Sequence, residues 1–290
     1  MFRRVLEIGE RLLFPNNIYC LVCGAMIDES RPYSLCDKCV RQLHWITGGR
    51  QADGKLQRLC AKCGKALPES YRGELCYDCM HRGHAFEKGF SCLTYGLHER
   101  ELMMDLKYNG KSYIAAKMGE ILFDRMKGEM ADFSPDGVKI DVVVPVPIST
   151  DRLRKRGYNQ SALMARYFVR AWDRALGEAA GRPLREADSR SLRESRGTVP
   201  RCETRALVRT RNTRMLRGLD PAERALAMRD AFEVKSTGTE DFQGKNVLLI
   251  DDIYTTGATA DACSEALLEA GAQRVYLLTL ASGGNRKPGT

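Results

Sequence analysis

Residues 247–260 read VLLIDDIYTTGATA, and no other stretch of the chain restricts the backbone so tightly. Val247, Leu248, Leu249 and Ile250 form an apolar run without polar alternation, the pattern of a strand covered on both faces in a parallel sheet. Asp251 and Asp252 follow where that strand is expected to end. Thr255, Thr256, Gly257, Ala258 and Thr259 then form a loop of small residues. It leads into an apolar-periodic helix (Ala262, Ala266, Leu267, Ala270) that stops at Gly271. A small-residue loop at a helix N-terminus aims several backbone N–H groups at one point, where the helix dipole also favours negative charge. Gly257 lets the backbone approach closely or take positive φ. The pattern suits a sugar phosphate, with phosphate in the loop and ribose hydroxyls on the carboxylate pair.

The same segment resembles the signature of type I phosphoribosyltransferases, which bind 5-phosphoribosyl 1-diphosphate. The resemblance implies that Asp251 and Asp252 hold the ribose hydroxyls, with Mg²⁺ accompanying the ligand, and that Thr255, Thr256, Gly257, Ala258 and Thr259 hold the 5′-phosphate.

Eight of the eleven cysteines fall into one pattern used twice. Cys20, Cys23, Cys36 and Cys39 are followed, forty residues on, by Cys60, Cys63, Cys76 and Cys79. Gly24 and Gly64, Leu35 and Leu75, and Glu29-Ser30 and Glu69-Ser70 repeat at the same offset, so the segment is an internal duplication. A C-x-x-C pair bends both thiolates toward one ion, and two pairs complete a tetrahedral shell. About two structural zinc ions are expected, with disulfides and iron–sulfur ligation as rival readings. Spacing leaves two pairings open: each repeat closes its own site, or Cys20/Cys23 join Cys60/Cys63. His81 and His84 read as surface residues, and Cys92, Cys202 and Cys263 as small buried side chains.

The 290 residues divide on composition into a short amphipathic helix over 1–17 (Val5, Leu6, Leu12, Leu13), a double zinc ribbon over 18–88 and an α/β domain over 89–290. The charged start lacks the apolar run of a secretory signal, and no stretch of about 18 apolar residues exists, so a cytoplasmic protein without an integral membrane segment is expected. In the α/β domain SCLTYG reads as a strand, followed by helical material broken near Asn109-Gly110, with Lys107 and Lys111 read as solvated. IDVVVPVPI is a second buried strand, and Arg152, Arg156, Gly157 and Asn159 then open the helix QSALMARYFVRAW. Cations at the C-terminal end of a parallel strand suit a diphosphate facing the monophosphate loop. RVYLLTLAS is the last strand.

Net charge is +9, and residues 151–230 carry 20 Lys/Arg, 19 of them Arg, against 10 Asp/Glu. That excess accounts for the whole positive balance, and arginine suits phosphate contacts and base stacking. Seven of these arginines lie in a polar segment over about 178–205, read as an insertion. Arg193, Arg196 and Arg201 are the candidate contacts to single-stranded nucleic acid.

LLFPNNIYCLVCG, CAKCG, LKYNG, VPVPIST-DRLRKRGYNQS and VLLIDDIYTTGAT occur in the order found in the ComF family, which the chain resembles over nearly its whole length. The resemblance implies a type I phosphoribosyltransferase-like parallel sheet flanked by helices and preceded by the ribbon. It also implies a part in DNA uptake and natural transformation beside other competence-machinery proteins. Two other readings stand beside it. One is an active phosphoribosyltransferase of nucleotide metabolism, whose acceptor displaces diphosphate; the other is a sensor of phosphoribosyl ligands.

Overall fold

The computed structural model describes residues 18–49, 56–108, 112–179, 199–210, 231–235 and 242–284. The N-terminal segment over 1–17, Lys111, Arg193 and Arg196 therefore lie outside the described residues. The ribbon contributes two short helices, α1 (Asp37–Gln42) and α2 (Tyr77–His81). The body then runs β1 (Lys88–Thr94), α3 (Leu97–Tyr108), α4 (Ile114–Lys127), β2 (Val142–Pro145), α5 (Thr150–Arg156), α6 (Gln160–Ala179), β3 (Arg201–Cys202), β4 (Leu207–Arg209), β5 (Phe232–Val234), β6 (Asn246–Tyr254), α7 (Ala258–Glu269) and β7 (Arg274–Ser282). Five strands form one sheet in the order β1-β7-β6-β2-β3, and every pairing is parallel. β4 and β5 form a separate antiparallel pair.

Side chains alternate across a strand, so the apolar runs feed two cores. Val143, Leu248, Ile250, Tyr276 and Leu278 face α4 and α6, where Phe123, Phe168 and Trp172 fill the space. Val142, Val144, Val247, Leu249 and Leu277 face the other way, against Leu267 of α7 and Phe232 of β5. Each large side chain buried in full contributes about 1.5–3 kcal/mol. Helix α6 forms because Met164, Ala165, Phe168, Val169 and Trp172 recur on one face, and Asn159 caps its start by accepting from the amides of Ser161 (3.0 Å) and Ala162 (3.4 Å).

The knuckle turns of the two ribbon repeats make matching backbone bonds. Cys20 N–H donates to Ala25 O and Cys60 N–H to Lys65 O, both at 2.8 Å, and Gly24 and Gly64 take φ of 70° and 71° at the knuckle turn. The copies dock on opposite faces of the sheet. Cys20, Leu35, Cys39 and Leu43 join the core beside α4, where the Tyr33 hydroxyl donates to Asp124 at 2.6 Å. Cys60, Cys63, Leu67, Cys76 and Phe86 join the core beneath α7. The chain leaving the first repeat pairs with β1, Ile46 N–H donating to Cys92 O at 2.7 Å. That bond gives an otherwise open strand edge a partner.

Three local expectations are corrected. β6 does not end at Ile250: Asp251, Ile253 and Tyr254 still pair with Thr279, Ala281 and Ser282, so the acidic pair lies inside the strand. The basic run after β2 is itself the short helix α5, closed by Gly157 at φ 79° before α6 begins. Of the segment read as an insertion, the first end continues α6 to Ala179, and Arg201 and Cys202 pair with Val142 and Val143 as the sheet's edge strand.

Candidate functional site

β2 connects onward toward β3 and β6 toward β7, so from these two adjacent parallel strands the connections lead to opposite edges of the sheet. Beyond the C-terminal ends of such a pair lies the crevice where open α/β sheets hold ligands. The residues gathered there come from four elements. Asp252 is buried within the C-terminal half of β6, and its Oδ2 accepts from Lys107 Nζ of α3 at 2.7 Å and from Gln160 Nε2 of α6 at 2.9 Å. Asp251 Oδ1 accepts from Ser161 Oγ at 3.2 Å and from the Asp252 amide at 2.8 Å. Desolvation, then the Asp252 charge, push Asp251 up to about 7. Arg156 Nη1 donates to Gln160 Oε1 at 3.0 Å, which links the basic helix to the acidic pair.

Lys107 is thus not the solvated lysine its sequence setting suggests, because α3 turns it onto Asp252. Of the four residues expected on a diphosphate side, Arg156 points into this network and Gly157 closes α5. Asn159 engages both polar ends of its side chain in structure, Nδ2 donating to Val146 O at 3.0 Å while Oδ1 caps α6. Arg152 is exposed; burial, and after it the Arg152 charge, lower the Arg209 guanidinium below its usual range.

Thr255, Thr256, Gly257, Ala258 and Thr259 join β6 to α7. Gly257 takes φ 89°, and a Cβ there would lie 2.6 Å from His84 Cε1 and 3.0 Å from the Tyr254 hydroxyl. Helix α7 opens on this glycine without a side-chain cap, so its first amides lack that acceptor. The second ribbon lies against the same turn. Lys65 Nζ donates to Thr255 O at 2.7 Å, and His84 Nδ1 lies 2.9 Å from Asp261 Oδ2. His84, read as a surface residue, has a side chain wholly shielded from solvent, stacked on Phe86. One signal for it was present: His44 stands forty residues earlier in the first repeat, and it also meets a carboxylate at a helix start, Glu99 at 3.1 Å.

The eight thiols form two separate clusters, Cys20/Cys23/Cys36/Cys39 and Cys60/Cys63/Cys76/Cys79, so each repeat closes its own site and the interleaved pairing is excluded. Within each cluster all four sulfurs lie within 4.8 Å of one another. A tetrahedron with Zn–S bonds of about 2.3 Å has edges of about 3.8 Å. Cys23–Cys36 and Cys63–Cys76 are separated by 3.7 and 3.6 Å. Backbone amides of Cys36 and Cys76 point at Cys20 and Cys60 Sγ from 3.4 and 3.2 Å, as a charged thiolate requires. The two sites therefore fit two structural zinc ions. Four sulfurs fill the coordination shell, and none is left open for chemistry.

Two family models match the chain, the double zinc ribbon domain over residues 10–80 and the phosphoribosyl transferase domain over residues 211–288. In this pairing of a zinc ribbon with a phosphoribosyl transferase domain the chain is similar to the ComF proteins. Relatives that match over most of their length include the DNA utilization protein YhgH of Salmonella typhimurium, 26% identical across 85% of this chain and 94% of that one. Competence protein ComFC of Bacillus subtilis is 24% identical across 88% and 91%, and competence protein F of Haemophilus influenzae 21% across 91% and 97%. Among the described residues of this ComF-type chain, no helix is long and apolar enough to cross a membrane.

Proposed function

We propose that this ComF-type protein binds phosphoribosyl diphosphate with Mg²⁺ at the β2/β6 crevice and handles single-stranded DNA in the cytoplasm during DNA uptake. One observation carries the ligand half. A carboxylate pair with its own cationic partner, Lys107, lies in the C-terminal half of the strand that leads into an uncapped helix start. Asp251 and Asp252 would accept hydrogen bonds from the ribose hydroxyls, and the amides from Thr255 to Thr259 would donate to the 5′-phosphate. Arg156, through Gln160, stands on the side where diphosphate oxygens would lie. Bound Mg²⁺ would supply charge neutralisation of the diphosphate. The DNA half is supported by the names of the relatives, by the arginine excess over residues 151–230 and by Arg201 on the edge strand, its side chain 48% exposed.

Calorimetric titration with Mg²⁺ and phosphoribosyl diphosphate tests the ligand half. Asp251→Asn combined with Asp252→Asn should weaken binding by about 1.5–3 kcal/mol for each charge-assisted hydrogen bond lost. Unchanged affinity in a folded double variant would remove the pair from the site. A transferase reading is favoured by one further observation: Lys107 already holds Asp252 and would be released when a sugar ligand takes over that carboxylate, leaving a cation for a departing diphosphate. Diphosphate release on adding an acceptor separates that reading from binding alone.

A further inference from the structure

The second ribbon repeat touches the β6–α7 turn through Lys65, His84 and Ala85. Lys65 is 1% exposed, so its ammonium must be satisfied inside the protein. It donates to Asp78 Oδ2 at 2.6 Å and to Thr255 O at 2.7 Å, and it lies 5.0 Å from the centre of the Tyr254 ring. A peptide unit is planar and trans, so fixing the Thr255 carbonyl toward Lys65 turns the Thr256 N–H the opposite way, away from the ribbon. His84 packs against Gly257, stacks on Phe86 and meets Asp261. The amide of Ala85 also donates to Asp261, at 3.1 Å. Asp261 lies in the first turn of α7, where an unpartnered carboxylate would repel a bound anion; the ribbon holds it to one side.

The duplication supplies a comparison within the molecule. Forty residues before Lys65 and Asp78 stand Ala25 and Lys38, so the buried ion pair exists only in the copy that meets this turn. Both partners are carried by the metal-site backbone. Lys65 follows the Cys60–Gly64 knuckle, and Asp78 sits between Cys76 and Cys79.

We infer that Lys65 and His84 are positioning residues, through which the second Cys₄ ribbon holds the Thr255–Asp261 turn in its anion-binding shape. The inference rests on the reading of that turn as the phosphate site. It makes the second metal site part of ligand recognition, whereas the first ribbon braces α4 on the opposite face.

The test uses the full-length, zinc-loaded protein with Lys65→Met, a variant close in length that lacks the ammonium. Zinc content should stay at the wild-type level. Amide exchange over Thr256–Asp261 should quicken at least tenfold while β1 and α4 keep wild-type protection, and affinity for Mg²⁺–phosphoribosyl diphosphate should fall about tenfold or more. Tyr33→Phe, which cuts the first ribbon's bond to Asp124, should leave exchange in the turn unchanged. If Lys65→Met loses zinc, His84→Leu carries the same measurements, since it lies outside both C-x-x-C pairs. Wild-type exchange rates across the turn in the zinc-retaining variant would overturn the inference. Failure of the wild-type protein to bind the ligand would overturn the proposed function, and exchange alone would then decide whether the ribbon sets the turn.

Discussion

Asp251 carries two opposed demands, since burial favours its neutral form while a sugar ligand needs its carboxylate. Its pKa is raised from 3.8 to about 7, so between those values the folded protein keeps a proton that the unfolded chain has released. The associated stability is present in full below about 4 and is lost as pH rises toward 7. Asp251→Asn removes this dependence. The stability of the variant relative to wild type should therefore grow from pH 4 to pH 7 and then level off. Urea denaturation of both proteins at several pH values checks this, and a difference constant with pH would contradict it. The type and order of these residues were legible in the sequence, because two acids directly after four apolar residues have few structural uses. Their partners were not. Lys107, Gln160 and Ser161 reach the pair from 90 to 145 positions away, and nothing local in LKYNG or QSAL says which side chain each will meet.

The ribbons illustrate how far an element's pattern carries. Cysteine spacing and the forty-residue offset predicted two four-sulfur sites, yet spacing could not choose between separate and interleaved pairing. Backbone bonds local to each knuckle decide it. The two sites differ in a way only the fold reveals: Cys60, Cys63, Cys76 and Cys79 are all buried, whereas Cys23 is exposed and Cys36 half-buried. A chelator should accordingly strip the first site well before the second, giving two-phase release of about one zinc each. A chromogenic chelator followed over time reads this directly, and a single phase of two zinc ions would show that burial does not control access. His84 was misread because its fate is decided by Asp261, 177 residues later on α7, a helix that packs against the same face.

At the scale of the whole molecule, four of the five strands of the parallel sheet were legible because continuous apolar runs admit little else. β3, two residues in a polar segment, and the β4–β5 pair were not. Nor was the order of the strands, since nothing in RVYLLTLAS states that it lies between β1 and β6 rather than at an edge. The surface charge yields its own prediction. If arginines over residues 151–230 track a nucleic-acid backbone, the logarithm of affinity should fall with that of salt by about 0.7 per phosphate contact on a single strand. Replacing Arg193, Arg196 and Arg201 with alanine should flatten that slope and leave phosphoribosyl diphosphate binding intact. Fluorescence anisotropy at several salt concentrations measures both, and no binding at low salt would end the DNA-handling proposal. The place of β7 also bears on biosynthesis. β1 has β7 as its strand neighbour in the sheet, and the two are separated by the rest of the body in sequence. At about 5–20 residues per second, a ribosome needs on the order of ten to forty seconds after finishing β1 to deliver its neighbour. Through that interval both ribbons can take metal while the sheet beneath them still lacks the strand between β1 and β6. A chain cut short before Arg274 would keep the residues that meet Lys65 and His84 but leave β1 without its strand neighbour.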